Sequence, residues 1–154
     1  MSRAARTIRV AAGLVRDARG AVLLVRKAGT TAFMQPGGKI EPGEAPAEAL
    51  AREIAEELGV DVVVRRHLGT FRAPAANEPD HVVDAEVFDV PLDDDDAARV
   101  APAREIAETA WVRPDDGDHL RRLTLAPLTE HHVLPLVGLR PPVDRAVVPP
   151  EVGG

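Results

Sequence analysis

Apolar positions along the chain fall into several short runs and one long periodic stretch. Ile8 to Val15 mixes aliphatic and small residues between Arg9 and Arg16 and reads as a β-strand. A turn at Asp17-Ala18-Arg19-Gly20 leads to the continuous aliphatic run Ala21 to Val25, expected to be a buried central strand pairing with the first in a hairpin. Ala28 to Met34 reads as a loop through Gly29, Thr30 and Thr31. The period then changes. Ala47, Leu50, Ala51, Ile54 and Leu58 recur every three or four residues, which predicts a helix from about Ala45 to Leu58 with one apolar stripe. Pro46 suits the first turn, Glu44 and Glu48 favour the same end, and Gly59 is a natural stop. Beyond it, Asp61 to Phe71 is strand-like but broken by Arg65-Arg66-His67, and Ala73 to Asp80 is a loop. His81 to Leu92 is a further strand ended by Pro91, and Asp93 to Asp96 reads as a solvated loop. Ala107 to Val112 holds the single tryptophan, Trp111; Asp115 to Leu123 and Thr129 to Leu139 have helical patterns. Residues 1–140 form one expected domain, and 141–154 a Pro/Gly-rich tail.

The chain has 154 residues, 45% of them apolar, a length that buries about two thirds of the unfolded surface around one core. With no cysteine, neither a disulfide framework nor a thiolate metal site is open to it, which points to the cytoplasm. The arginines of MSRAARTIRV precede no apolar run, and no segment approaches the roughly 18 apolar residues of a membrane span. A net charge of −6 argues against binding nucleic acid through a basic surface, yet it is compatible with a phosphate substrate if bound cations supply positive charge locally.

The candidate chemistry lies in Gly38 to Val60, GKIEPGEAPAEALAREIAEELGV. It fits G-x5-E-x7-R-E-U-x-E-E-x-G-U, with U aliphatic, through Gly38, Glu44, Arg52, Glu53, Glu56, Glu57 and Gly59, with Ile54 and Val60 at the aliphatic places. At roughly 7% usage per specified residue, seven such matches coincide by chance about once in 10^8 starting points. Glu53, Glu56 and Glu57 are helical neighbours on a face apart from the apolar stripe, so their charges repel. Drawn into a cleft, they would hold a raised carboxyl pKa unless a cation sits among them, and such hard oxygen ligands suit Mg²⁺ or Mn²⁺. Arg52 lies one turn from Glu48 and Glu56 and can steady a carboxylate. A solvated acidic face is the plainer alternative, but it leaves Gly37, Gly38 and Pro42-Gly43 unexplained. Two other motifs fail on spacing. Gly37-Gly38-Lys39 is followed by Ile40 rather than the Ser or Thr of a P-loop, and Asp93 to Asp96 lacks the alternation of a calcium loop.

The box, with its approach Gln35-Pro36-Gly37-Gly38-Lys39, resembles the signature of the Nudix hydrolases, the MutT-like pyrophosphohydrolases. That resemblance implies an α/β fold, an α/β/α sandwich around a mixed β-sheet, and metal-dependent hydrolysis of a nucleoside diphosphate linked to another group. It implies metal ligands at Glu56 and Glu57 with the Gly37 or Gly38 carbonyl, Glu53 as a further ligand or general base, Arg52 orienting a carboxylate, and Glu44 tying loop to helix. The attacking group would be a metal-activated water, with Mg²⁺ as cofactor and Mn²⁺ as its substitute. Arg26, Lys27, Lys39 and Glu78 are substrate-binding candidates, with a solvated strand end or loop as the alternative; Phe33 and Met34 either line a base pocket or pack in the core. Glu105, in a loop shortly before the late strand, is a candidate for the extra acidic group many Nudix enzymes bring from outside the box, with Glu108 as its rival. The partner expected is a small nucleotide, most simply a nucleoside triphosphate, acting on a monomer or homodimer. An ADP-sugar substrate or a catalytically silent nucleotide-binding module are the alternatives. The chain has no tyrosine, which removes the diadenosine polyphosphate marker.

Overall fold

The computed structural model describes residues 5–113 and 115–138. Its strands are β1 (Arg6–Arg16), β2 (Val22–Lys27), β3 (Phe33–Met34), β4 (Gly37–Lys39), β5 (His67–Pro74), β6 (His81–Pro91) and β7 (Ile106–Val112). Its helices are α1 (Pro46–Leu58), α2 (Asp94–Arg99) and α3 (Gly117–Arg122), followed by a π-helical turn Thr129–Val133 and a 3-10 turn Leu134–Val137. The sheet runs β3-β2-β1-β6-β5, with β4 also on β1 and β7 also on β2. β1 and β6 are parallel from Arg6↔His81 to Arg16↔Pro91 while the other pairs are antiparallel, so the sheet is mixed as expected.

Strand alternation divides the core in two. Ala12, Leu14, Val22, Leu24, Ala85 and Val87 face one side, under Leu120 of α3 and Leu128, Val133 and Leu134 of the last helical segment. Ala11, Val15, Leu23, Val25 and Val90 face the other, under Leu50, Ile54 and Leu58 of α1. Each of those three α1 side chains is essentially inaccessible, and such burial is worth roughly 1.5–3 kcal/mol apiece. The result is the α/β/α sandwich. Among the described residues no helix is long and apolar enough to cross a membrane.

Several local expectations change. The β1–β2 hairpin is reduced to one pair, Arg16↔Val22, because the strands splay and β4 takes the edge of β1 at Val10, Ala11 and Ala12. Residues 61–66 are not a strand; Arg65 N and Asp89 N bond to Asp89 O and Arg66 O, and regular pairing begins only at β5, which extends to Pro74. Asp93 to Asp96 is no loop either: Asp93 caps α2 by accepting from Asp96 N, and the following acids suit the positive end of that helix. Phe33 and Met34 form β3 rather than a loop. In α1 the buried face holds Ala49 and Glu57 as well as Leu50, Ile54 and Leu58, whereas Ala47 and Ala51 are only half-buried. Leu139 and the expected tail 141–154 lie outside the described residues.

Candidate active site

The helix α1 is held at both ends. Pro46 opens it after Ala45, and Gly59 closes it in the left-handed region at φ 71° with its N–H on the Ala55 carbonyl. Beyond its C-terminus, Ala103 N and Ala101 N donate to the Glu57 and Leu58 carbonyls at 2.8 and 3.1 Å. Those bonds bring the segment 101–105 beside the acidic face.

Arg52 organises the other side. Its Nε and Nη2 donate to the two carboxylate oxygens of Glu44 at 2.7 and 3.0 Å, a bidentate pair, and Nη2 also donates to the Lys39 carbonyl at 3.2 Å. Nη1 donates to Glu53 Oε1 at 2.9 Å and lies 3.5 Å from Glu56 Oε2. The Arg52 bonds, together with the Glu41 N–H, hold the Glu44 carboxyl below its usual range; in return Glu44 first, then Glu53, push the guanidinium further above its own. The loop leaving β4 is thereby fastened to α1.

The three box glutamates differ in burial. Glu57 is 3% exposed, whereas the side chains of Glu53 and Glu56 keep 16% and 39%. Burial, then the neighbouring Glu53 carboxyl, push the Glu57 carboxyl up to about 8; Lys27 opposes that rise and Glu105 adds to it. Lys27 Nζ lies 3.6 Å from Glu105 Oε1, and the Glu105 carbonyl accepts from Ala28 N at 2.7 Å, so β2 and the 101–105 segment converge on the cluster. Two glycines make room. A Cβ on Gly38 would stand 2.5 Å from Glu53 Cδ, and one on Gly37, at φ 143°, would run into the Ala11 carbonyl. Among the described residues no three His, Asp or Glu side chains converge closely enough to hold a metal as they stand; Glu53 and Glu56 are turned toward Arg52 instead.

Beside this cluster a cavity of about 130 Å³ opens between β1, β4 and the last helical segment. Ile8, Val10, Val83 and Leu128 give it apolar walls, Gln35 and Lys27 are among its polar groups, and Gly37, Gly38 and Lys39 also line it, Gly38 lying against Glu53 of the acidic face.

The NUDIX domain family model matches residues 6–133. The chain belongs to the Nudix family. A putative 8-oxo-dGTP diphosphatase of Bacillus subtilis is 28% identical over 93 residues, 60% of this chain and 58% of that protein, so the chain spans a little over half of this relative's length. A CTP pyrophosphohydrolase of Escherichia coli is 29% identical over 113 residues, covering 70% of this chain and 76% of that one. The solved structure of the MutT protein from Methanosarcina mazei Go1 is similar with a TM-score of 0.65 at 26% identity, over 83% of this chain and 90% of that one.

Within this Nudix domain the candidate residues separate. The structure brings together Arg52, Glu53, Glu56, Glu57, Gly38, Lys27 and Glu105, and it puts Gly37, Lys39 and Glu78 on the cavity lining. Arg26 is elsewhere: its Nε donates to Glu108 at 3.0 Å and its Nη1 to the Thr30 carbonyl at 2.9 Å, and it does not line the cavity. Glu108 is accordingly committed to Arg26, and Met34 but not Phe33 reaches the cavity, since Phe33 packs in the core. Sequence reasoning passed over Gln35 and Asn77, both cavity-lining. The signal for Gln35 was its place directly ahead of Pro36-Gly37-Gly38; Asn77 gave none beyond loop composition.

Proposed function

We propose that this Nudix chain is a divalent-cation-dependent pyrophosphohydrolase that cleaves the diphosphate linkage of a small nucleotide, most simply a nucleoside triphosphate. The observation that carries the reading is the shared rim: Gly37, Gly38 and Lys39 border the cavity, while on the side of α1 Gly38 lies against Glu53 and the Lys39 carbonyl accepts from Arg52. A base and sugar in the cavity would leave their phosphates over that rim.

The donor set fits a hard divalent ion. Glu57 is buried beside a second carboxyl without a compensating charge strong enough to keep its pKa low, and every nearby donor is a carboxylate or carbonyl oxygen. Glu56 and Glu57, with the Gly37 or Gly38 carbonyl, would hold Mg²⁺ or Mn²⁺ once Glu56 turns from Arg52, and Glu53 would serve either as a further ligand or as the general base. Such an ion, when bound, offsets phosphate charge and makes water a better nucleophile near neutral pH. The remaining tasks fall to the chain itself. In the general-base role Glu53 keeps its Arg52 bond through Oε1 and takes the proton of the attacking water at its other oxygen. Lys27 and Lys39, both on the cavity lining, neutralise phosphate oxygens, and Glu105 positions water or ligand from the side of β7. The relatives described above, a putative 8-oxo-dGTP diphosphatase and a CTP pyrophosphohydrolase, belong to the same reaction class.

The test is a panel of nucleoside triphosphates and nucleoside diphosphate sugars with Mg²⁺ and Mn²⁺, with and without EDTA, products separated by chromatography. Pyrophosphate plus a nucleoside monophosphate, abolished by EDTA, is expected. Two monophosphates from a sugar nucleotide would move the substrate to the ADP-sugar class. Nucleotide binding without turnover of any member would make the domain a silent nucleotide-binding module.

A further inference from the structure

Among the described residues Gln35 is the one side chain in the cavity lining that is both polar and buried, at 9% exposure. Its partner is another buried polar group. Thr129, fully inaccessible, donates from Oγ1 to Gln35 Oε1 at 2.7 Å, across 94 positions of sequence. Neither group drifts into that place. Phe33 N donates to the Thr124 carbonyl at 2.7 Å and Ala126 N to the Phe33 carbonyl at 2.9 Å, which docks the start of the last helical segment on β3, two residues before Gln35. On the other side the Pro36 carbonyl accepts from Gly13 N at 2.8 Å. Thr129 then opens the π-helical turn Thr129–Val133, an uncommon winding that is frequent at functional sites.

In the structure the Thr129 hydroxyl donates to the oxygen end of the amide. With Oε1 engaged, the Nε2 group remains, and among the described residues it has no protein partner. No fully buried side-chain polar atom there is unsatisfied, so Nε2 stands in reach of the cavity rather than sealed in the core. The apolar lining, Val10, Ala12, Val83 and Leu128 among it, offers nothing polar, Lys27 and Lys39 carry only donors, and Asn77 and Glu78 are exposed on the 75–80 loop. An amide nitrogen donates and does not accept.

Resting on the reading that this cavity holds the base of a nucleotide, we propose that Gln35, held by Thr129, selects that base by donating to a ring carbonyl oxygen, so that an oxo base is taken in preference to its amino counterpart. An amino group in that place would set donor against donor and leave both unpaired in an apolar pocket, enough for about tenfold discrimination or more.

The experiment measures calorimetric binding of inosine monophosphate and adenosine monophosphate, which differ at the oxo or amino position, alongside turnover of the matching triphosphates with Mg²⁺. The full chain is compared with Gln35→Met, Gln35→Glu and Thr129→Val, each checked for native circular dichroism. We expect the wild-type chain to bind the inosine nucleotide about tenfold tighter or more. Gln35→Met should bring the ratio near one, Gln35→Glu should favour adenosine because a carboxylate accepts from the amino group, and Thr129→Val should shrink the ratio by releasing the amide. If Gln35→Met fails to fold, the ratios of the other two variants decide. A wild-type ratio near one, a preference for adenosine, or a ratio unmoved in the folded variants overturns the inference. Binding preference that follows Gln35 without any turnover would uphold it and sink the hydrolase reading; turnover with an unmoved ratio would do the reverse.

Discussion

Replacing Glu57 by Gln should stabilise the metal-free protein in a pH-dependent way while abolishing turnover. Glu57 is 3% exposed and lies against Glu53, and the folded protein holds its carboxyl at about 8 where the ordinary value is 4.5. Below pH 4.5 the group is protonated in both folded and unfolded chains and costs nothing. Between 4.5 and 8 the unfolded chain loses the proton and the folded chain keeps it, so stability falls as pH rises and levels off above 8. The rise spans about 3.5 powers of ten, at ~1.4 kcal/mol each a ceiling of ~5 kcal/mol. Because Glu53 shares the proton and Lys27 opposes the rise, roughly 2 to 4 kcal/mol is expected. Urea denaturation in EDTA of wild type and Glu57→Gln at pH 5 and pH 8.5 isolates it, since other carboxyls cancel in the difference. The variant's advantage should be small at pH 5 and reach those few kcal/mol at pH 8.5, with kcat down by orders of magnitude at saturating Mg²⁺. A difference in stability that is the same at both pH values would refute the burial argument, and wild-type kcat would refute the ligand role.

Other substitutions test the neighbouring parts of the site. Glu105→Gln should lower kcat about tenfold or more, a barrier increase of ~1.4 kcal/mol, while Glu108→Gln, at a side chain paired with Arg26, should change it little; the opposite ranking in steady-state assays would transfer the role. Arg52→Lys keeps the charge but loses the two-pronged bond to Glu44, so kcat should drop about tenfold with no recovery at higher Mg²⁺, and near-wild-type rates would count against Arg52 as the organiser. Gly38→Ala places a methyl 2.5 Å from Glu53 Cδ; expected outcomes are a kcat loss of at least about tenfold and a stability cost of ~1–3 kcal/mol by thermal denaturation, and an unaffected variant would show that Glu53 has room to move.

The sequence alone determined what depends on neighbours a few residues apart. Pro46, the three- and four-residue apolar spacing and Gly59 specify α1 nearly to its observed ends, because helix signals are local. The same locality made the box legible, and the alternation of β6 and the aliphatic run of β2 gave the sheet its material. Burial within the box was not legible. Glu53, Glu56 and Glu57 read alike along the chain, and only the seating of α1 against the sheet and the 101–105 segment made Glu57 the buried one. Arg26 and Lys27 are likewise equal as text; the pairing of β2 with β7 gave Arg26 to Glu108 and left Lys27 to the cavity. The parallel pairing of β1 with β6, the wedge of β4 beside β1, and the Gln35–Thr129 bond join residues far apart in the chain. No local pattern encodes such pairings, because they follow from how whole faces pack, and it is there that the tertiary structure decided which groups share a site.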